Sequence, residues 1–152
     1  MTGYVAPIEE IKFVINELVG VSQDNLRPEF EEIGSEDVNL ILNEAAKFSS
    51  EILAPINRQG DVEGSTLENG MVRTPVGFKE AYSKFLEAGW NGMPFDPKFG
   101  GQNLPWLLTT AVSEMLQSAN LAFSLCPLLT QGAVELLTSH GNDDLKNTFL
   151  KK

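Results

Sequence analysis

Cysteine and histidine are almost missing from this 152-residue sequence, which has one of each, Cys126 and His140. One thiol cannot close an internal disulfide, and one thiol with one imidazole cannot build a Cys/His cage, so neither staple nor metal site is expected. A reducing, cytoplasmic setting fits. Positive charge is scarce too: 11 Lys and Arg face 21 Asp and Glu, for a net charge of −10. That balance opposes a phosphate backbone or an anionic membrane, so nucleic acid is not expected as a partner. No uninterrupted apolar run reaches the ~18 residues of a spanning helix, and Met1 to Pro7 lacks the positive stretch and apolar core of an export signal. No membrane span is expected. No strand leads into Gly-x-Gly-x-x-Gly and Walker spacing is absent, so Gly100-Gly101 reads as a tight turn.

What is present is apolar content: 42% of the residues, nine Phe among them. A chain near this length buries about 70% of its extended surface on folding, enough for one core. Ile8, Ile11, Ile15, Leu18 and Val19 recur at helical spacing, with Gly20 expected to end that helix. A loop with Pro28 and the acidic Glu29, Glu31 and Glu32, read as solvated, leads to Gly34-Ser35. Ser35 is expected to cap the next helix, with Glu36 and Asp37 at its positive end. Val38, Ile41, Leu42, Ala45, Phe48, Ile52 and Leu53 form one stripe, and Pro55 is expected to stop the helix near Leu53 or Ala54.

From Pro55 to Thr74 the pattern predicts a structured connection in which Asn69-Gly70 turns a small hairpin and Leu67, Met71 and Val72 are apolar anchors. Thr74-Pro75 reads as an N-cap and first helical position, followed by Phe78, Tyr82, Phe85 and Leu86 on one face and Gly89 at the close. Residues 90–103, dense in Gly, Pro and aromatics, form no regular element. Pro105 starts a helix with Leu108, Ala111, Val112, Met115 and Leu116 inward, ending in the Ser118-Ala119-Asn120 turn. Leu121 to Ser139 is apolar nearly all round, the pattern of a helix buried between neighbours, with Pro127 expected to kink or restart it. Gly141 closes that helix, and Asn142 caps a last one carrying Asp143 and Asp144 in its first turn. The pattern is still helical at Lys152, which reads as a fragment of a longer chain. The fold class is all-α, a helical bundle over 35–152 preceded by a short helical extension over 1–34.

Several blocks, in order, resemble the acyl-CoA dehydrogenase family, and within it the long bacterial branch of 3-methylmercaptopropionyl-CoA dehydrogenase-like proteins. They begin with Tyr4-Val5-Ala6-Pro7 and Ile11-Lys12-Phe13-Val14, then Leu53-Ala54-Pro55-Ile56-Asn57-Arg58 with Gly60-Asp61, and Thr74 to Tyr82. They continue through Ala88-Gly89-Trp90, Gly100-Gly101-Gln102-Asn103-Leu104-Pro105, Ser118-Ala119-Asn120 and Gly132-Ala133 to His140-Gly141-Asn142 and Leu145-Lys146. The resemblance implies the helical N-terminal domain of a flavoenzyme that takes the pro-R α proton and the β hydride from an acyl-CoA thioester. FAD receives the hydride, a trans-2-enoyl-CoA results, and electrons leave to an electron-transfer flavoprotein. It further implies that a β-domain and a second helical domain supply most flavin contacts and the carboxylate base. This stretch is therefore expected to be inactive alone, to bind no FAD and to hold no catalytic residue. Part of a homo-oligomer contact is implied as well.

By the same resemblance the helix after Ser118-Ala119-Asn120 lines the acyl slot, through Phe123, Ser124, Leu125, Leu128 and Leu129. An acyl tail gains about 0.8 kcal/mol per buried methylene, so such a slot needs an apolar wall, which this segment supplies. Each of these residues is also what an ordinary core helix contains. Cys126 is read as a small core residue rather than a nucleophile, since no His or cationic residue stands near it in the sequence, and His140 as a helix-end cap. Glu114, if buried, should pair with a cation or the backbone. The alternative from a different class is a helical binding or assembly module with no chemistry of its own.

Overall fold

The computed structural model describes residues 3–19 and 33–150, so Gly20, the Pro28 loop with Glu29 to Glu32, and Lys152 lie outside the described residues. Helix α1 (Ile8–Phe13) widens into a π turn, Val14–Leu18, and buries Ile11 and Ile15. It lies against α2 (Ser35–Lys47), where Lys12 Nζ donates to Asn43 Oδ1 at 3.3 Å. Leu18, expected on the inner face, is exposed. The N-cap of α2 is Gly34, and Ser35 is already helical without a side-chain cap bond.

Pro55 does not end the helical run. The ladder opens into a π segment over Phe48–Leu53 and restarts as α3 (Ala54–Glu63), which places Pro55 in a first turn, where a missing N–H is one of the unpaired donors anyway. The expected hairpin follows. Strands β1 (Thr66–Glu68) and β2 (Met71–Arg73) pair antiparallel around Asn69 and Gly70, with φ of 52° and 78°, and Arg73 Nε meets Glu68 Oε2 at 2.6 Å. Its apolar residues are not anchors: Leu67, Met71 and Val72 are all exposed, because among the described residues no second layer covers the three-residue ribbon.

Helix α4 (Phe78–Glu87) begins three residues later than Thr74-Pro75 suggested. The Val76 N–H donates to the Glu63 carboxylate at 3.1 Å and the Phe78 N–H to the Pro75 carbonyl at 3.3 Å, so 75–77 is a turn held to α3, with Gly77 at φ 88° as the N-cap. Gly89, at φ 75°, closes α4 as expected. Residues 90–103 contain only two 3₁₀ turns, Trp90–Gly92 and Pro97–Phe99. The Gly-Gly-Gln block is structural. At Gly101 a Cβ would collide with the Phe95 carbonyl, and Gln102 Nε2 donates to the Gly89 carbonyl at 2.6 Å, tying this stretch to the end of α4.

Helix α5 (Trp106–Ala119) buries Leu108, Ala111, Val112, Met115 and Leu116, as its spacing predicts. It is the bundle's central post, packed on α2, the π segment and α6 (Leu121–His140). Pro127 sits inside α6 without restarting it. Asn142 caps α7 (Asp143–Phe149), its Oδ1 accepting from the Leu145 N–H at 2.9 Å. The core runs through Val38, Leu42, Leu53, Phe85, Val112 and Met115, each buried side chain of this kind contributing roughly 1.5–3 kcal/mol.

Candidate functional site: the two faces of the sixth helix

Asn120 positions the site. It is fully buried between α5 and α6 in an extended conformation. Its Oδ1 accepts from the Phe123 N–H at 3.0 Å, its Nδ2 donates to the Leu53 carbonyl at 3.3 Å, and its own carbonyl accepts from Ser124 Oγ at 3.0 Å. One amide side chain therefore caps α6 and pins its first turn to the end of the π segment. Sequence reading saw a turn here. The long-range bond to Leu53 left no signal in the local pattern.

Beyond that cap α6 has two apolar faces. Phe123, Ser124 and Pro127 turn inward, where the Phe123 ring meets Phe85 at 5.9 Å, Phe78 at 6.2 Å and Tyr82 at 6.3 Å between centroids. Leu121, Leu125, Leu128, Leu129 and Leu136 turn outward and are exposed. The helix is thus not buried between neighbours: among the described residues the bundle covers one side only. Of the five residues implied for an acyl slot, Phe123 and Ser124 are built into the bundle, while Leu125, Leu128 and Leu129 face out. Ser124 and Leu128 border a crevice of about 20 Å³ against Leu116 and Gln117 of α5, too small for more than a water.

A larger cleft of about 660 Å³ lies on the other flank of α6, between α3, the hairpin, α4 and the Ala122, Phe123 and Cys126 turn. Gly60 shapes its floor: a Cβ there would stand 2.6 Å from the Phe78 ring, so glycine lets the edge of that ring approach α3 closely. Cys126 is exposed and lines this cleft, contrary to the expected core position, since it projects from α6 away from α5. A third hollow of about 500 Å³ is bounded by α2, the π segment and Trp90, with Lys47 and Glu44 paired at 2.6 Å on its edge.

Ionisable groups add little chemistry. Glu114 is exposed, so the condition for its pairing is not met. Partial burial pushes the Tyr4 hydroxyl above its ordinary value, a hydrogen bond with Ser118 opposes this, and the Glu114 charge adds to it; the N-terminal segment thus lies against α5. His140 is exposed, and the Gly141 N–H, not the imidazole, bonds the Leu137 carbonyl at 2.8 Å. Among the described residues no group of His, Cys, Asp and Glu could hold a metal ion.

Comparison with known proteins supplies the context for this half-covered helix. Residues 35–152 match the family model for the acyl-CoA dehydrogenase N-terminal domain. The chain belongs to the acyl-CoA dehydrogenase family. It is 38% identical over 149 residues to 3-methylmercaptopropionyl-CoA dehydrogenase of Ruegeria pomeroyi, which covers 98% of this chain and 25% of that protein. It is 26% identical over 154 residues to a butyryl-CoA dehydrogenase of Syntrophomonas wolfei, covering 99% and 25%. A broad-specificity linear acyl-CoA dehydrogenase of Mycobacterium tuberculosis is 25% identical over 122 residues, covering 79% of this chain and 20% of that one. The chain spans about a quarter of the length of the first of these acyl-CoA dehydrogenases. All-helical architecture with one small hairpin agrees with an N-terminal domain of this family.

Proposed function

We propose that this chain serves as the N-terminal domain of an FAD-dependent dehydrogenase that converts an acyl-CoA thioester to a trans-2-enoyl-CoA in the cytoplasm. Its own contribution is one wall of the acyl slot, from Leu125, Leu128 and Leu129 on the outward face of α6, while Phe123 and Ser124 anchor that helix in the bundle, with 1–34 as an extension that precedes the 35–152 bundle. FAD, when bound, accepts the hydride. The flavin contacts and the base come from protein outside these 152 residues, electrons pass to an electron-transfer flavoprotein, and the whole assembles as a homo-oligomer. The observation that carries this reading is the outward arc of α6. Five leucines on one face of a helix locked by Asn120, in a domain of this family, form an apolar wall that the described residues leave exposed.

By length and composition alone α6 could also cross a membrane, with a mean hydropathy of 1.4 over its most apolar window. Its inward face argues for protein as its surroundings, since Phe123 and Pro127 are already packed in the bundle. The same arc favours a second reading, an assembly module that self-associates through uncovered leucines.

Joining the chain to the remaining three quarters of the Ruegeria relative tests the first reading. The expected product is a yellow protein that oxidises acyl-CoA, in which Leu128→Trp lowers kcat/KM for longer acyl chains about ten-fold or more relative to short ones. A flavin-loaded chimera whose chain-length profile ignores Leu125→Trp and Leu128→Trp would remove α6 from the slot. The 152-residue chain itself should hold no stoichiometric flavin. Sedimentation as a clean monomer with no dye-accessible apolar surface would count against the assembly reading.

A further inference from the structure

The cleft between α3, the hairpin, α4 and α6 is separate from the wall just described, and its chemistry differs from the rest of the surface. Its floor is aromatic, made by the Phe78, Tyr82 and Phe123 rings with Gly60 beneath. At about 660 Å³ it falls within the 300–1,000 Å³ typical of small-molecule sites, which combine apolar walls with a few polar groups. The chain carries 21 acidic residues, yet none lines this cleft. Lys79 at its edge is the lining cation, and it makes no ion pair among the described residues. The hollow beside Trp90 is the contrast: it is edged by Glu44 and Glu51, and its lysine is already paired with Glu44.

We propose that this cleft binds a single-chain carboxylate, a fatty acid anion of medium length, with its tail on the three rings and its head toward Lys79. Charge complementarity selects the occupant. A neutral amphiphile would gain nothing from the exposed Lys79 ammonium, and a cationic one would meet its repulsion. The proposal stands independently of the dehydrogenase reading, because the cleft lies wholly within the 152 residues.

Cys126 makes the test local, since it is exposed, lines the cleft and is the chain's one thiol. Its rate of reaction with Ellman's reagent is measured in the presence of hexanoate, octanoate, decanoate and 1-octanol, with calorimetry in parallel. Octanoate should slow the reaction, and each added methylene should tighten binding by up to about four-fold while the cleft still covers it. Lys79→Gln should weaken octanoate about two- to five-fold and leave octanol unchanged, and salt should do the same. Ala122→Trp, at an exposed lining position, should abolish protection while circular dichroism stays helical. If that variant loses helicity, Cys126→Trp read by calorimetry replaces it. Leu129→Gln, on the outward arc and outside the cleft lining, should leave octanoate's protection of Cys126 unchanged. Protection by octanol equal to that by octanoate, protection that survives the Trp variant, protection lost in Leu129→Gln, or no chain-length dependence would each overturn the proposal.

Discussion

Helices α5 and α6 are both long and apolar, yet α5 buries seven residues along its whole length while α6 buries Phe123, Ser124 and Pro127 in its first two turns. The difference lies in how the apolar residues are arranged. In α5 they follow one stripe that a single set of neighbours covers. In α6 they go round the helix, so a neighbour on one side satisfies only half of them. All-round apolarity reports how many partners a helix requires, not that they are at hand.

The largest expected effect tests that contrast directly. Phe85, 1% exposed, stands within ring contact of Phe48, Tyr82 and Phe123 at 6.3, 6.1 and 5.9 Å. Phe85→Ala removes the hub of that cluster and should cost about 3–5 kcal/mol, a large share of the ~5–15 kcal/mol that holds a domain together. Leu129, 74% exposed, should tolerate Ala within about 0.5 kcal/mol. Urea unfolding at matched concentrations measures both. Comparable losses would mean that the outward face of α6 is covered after all.

A middle-sized effect is expected at the joint between the two helices. Asn120→Ala loses the cap on α6 and leaves the Leu53 carbonyl without its side-chain donor, for a cost of about 1–3 kcal/mol. Asn120→Asp separates the two roles. It keeps an acceptor for the Phe123 N–H but turns a buried charge toward a carbonyl, so it should be no milder than Ala. An Asp variant as stable as the parent would show that capping alone matters at this position.

These residues also show why part of the molecule was readable in the sequence and part was not. The inner stripes of α2 and α5, the Asn69-Gly70 turn, Gly89 and the Asn142 cap are local patterns, and each lies where its spacing or backbone preference puts it. Misreadings came where a distant group decides the outcome. Pro55 fails to stop a helix because a π segment has already shifted the register, and α4 starts late because Glu63, thirteen residues upstream, holds the Val76 N–H. Composition made Leu67, Met71, Val72 and Cys126 look like interior residues, but no second layer of described structure covers the hairpin, and Cys126 opens into a cleft rather than the core. The exposed leucine arc of α6 was not legible as such, because an all-round apolar pattern does not say which face the bundle leaves open. Nor was the cleft beside it, because Gly60, Phe78, Tyr82 and Cys126 come together only through the packing of α3, α4 and α6.

The smallest expected effect sits on that outer side, at the Glu63 tether. Hydrogen bonds from Gln59 Nε2 at 2.6 Å and the Val76 N–H at 3.1 Å favour the charged carboxylate and hold its pKa below the ordinary 4.5. A lowered folded-state value means the tether's contribution is fully present above pH 4.5 and fades as pH falls through the folded pKa. The group is at the surface, so global stability should barely respond. The Val76 amide should respond. Its chemical shift should titrate with a midpoint below 4.5, and Glu63→Gln should flatten that curve and speed Val76 hydrogen exchange without moving the Phe85 cluster. A Val76 midpoint at or above 4.5 would show that the carboxylate does not hold the start of α4, and the late beginning of that helix would then rest on Gly77 and the Pro75 turn alone.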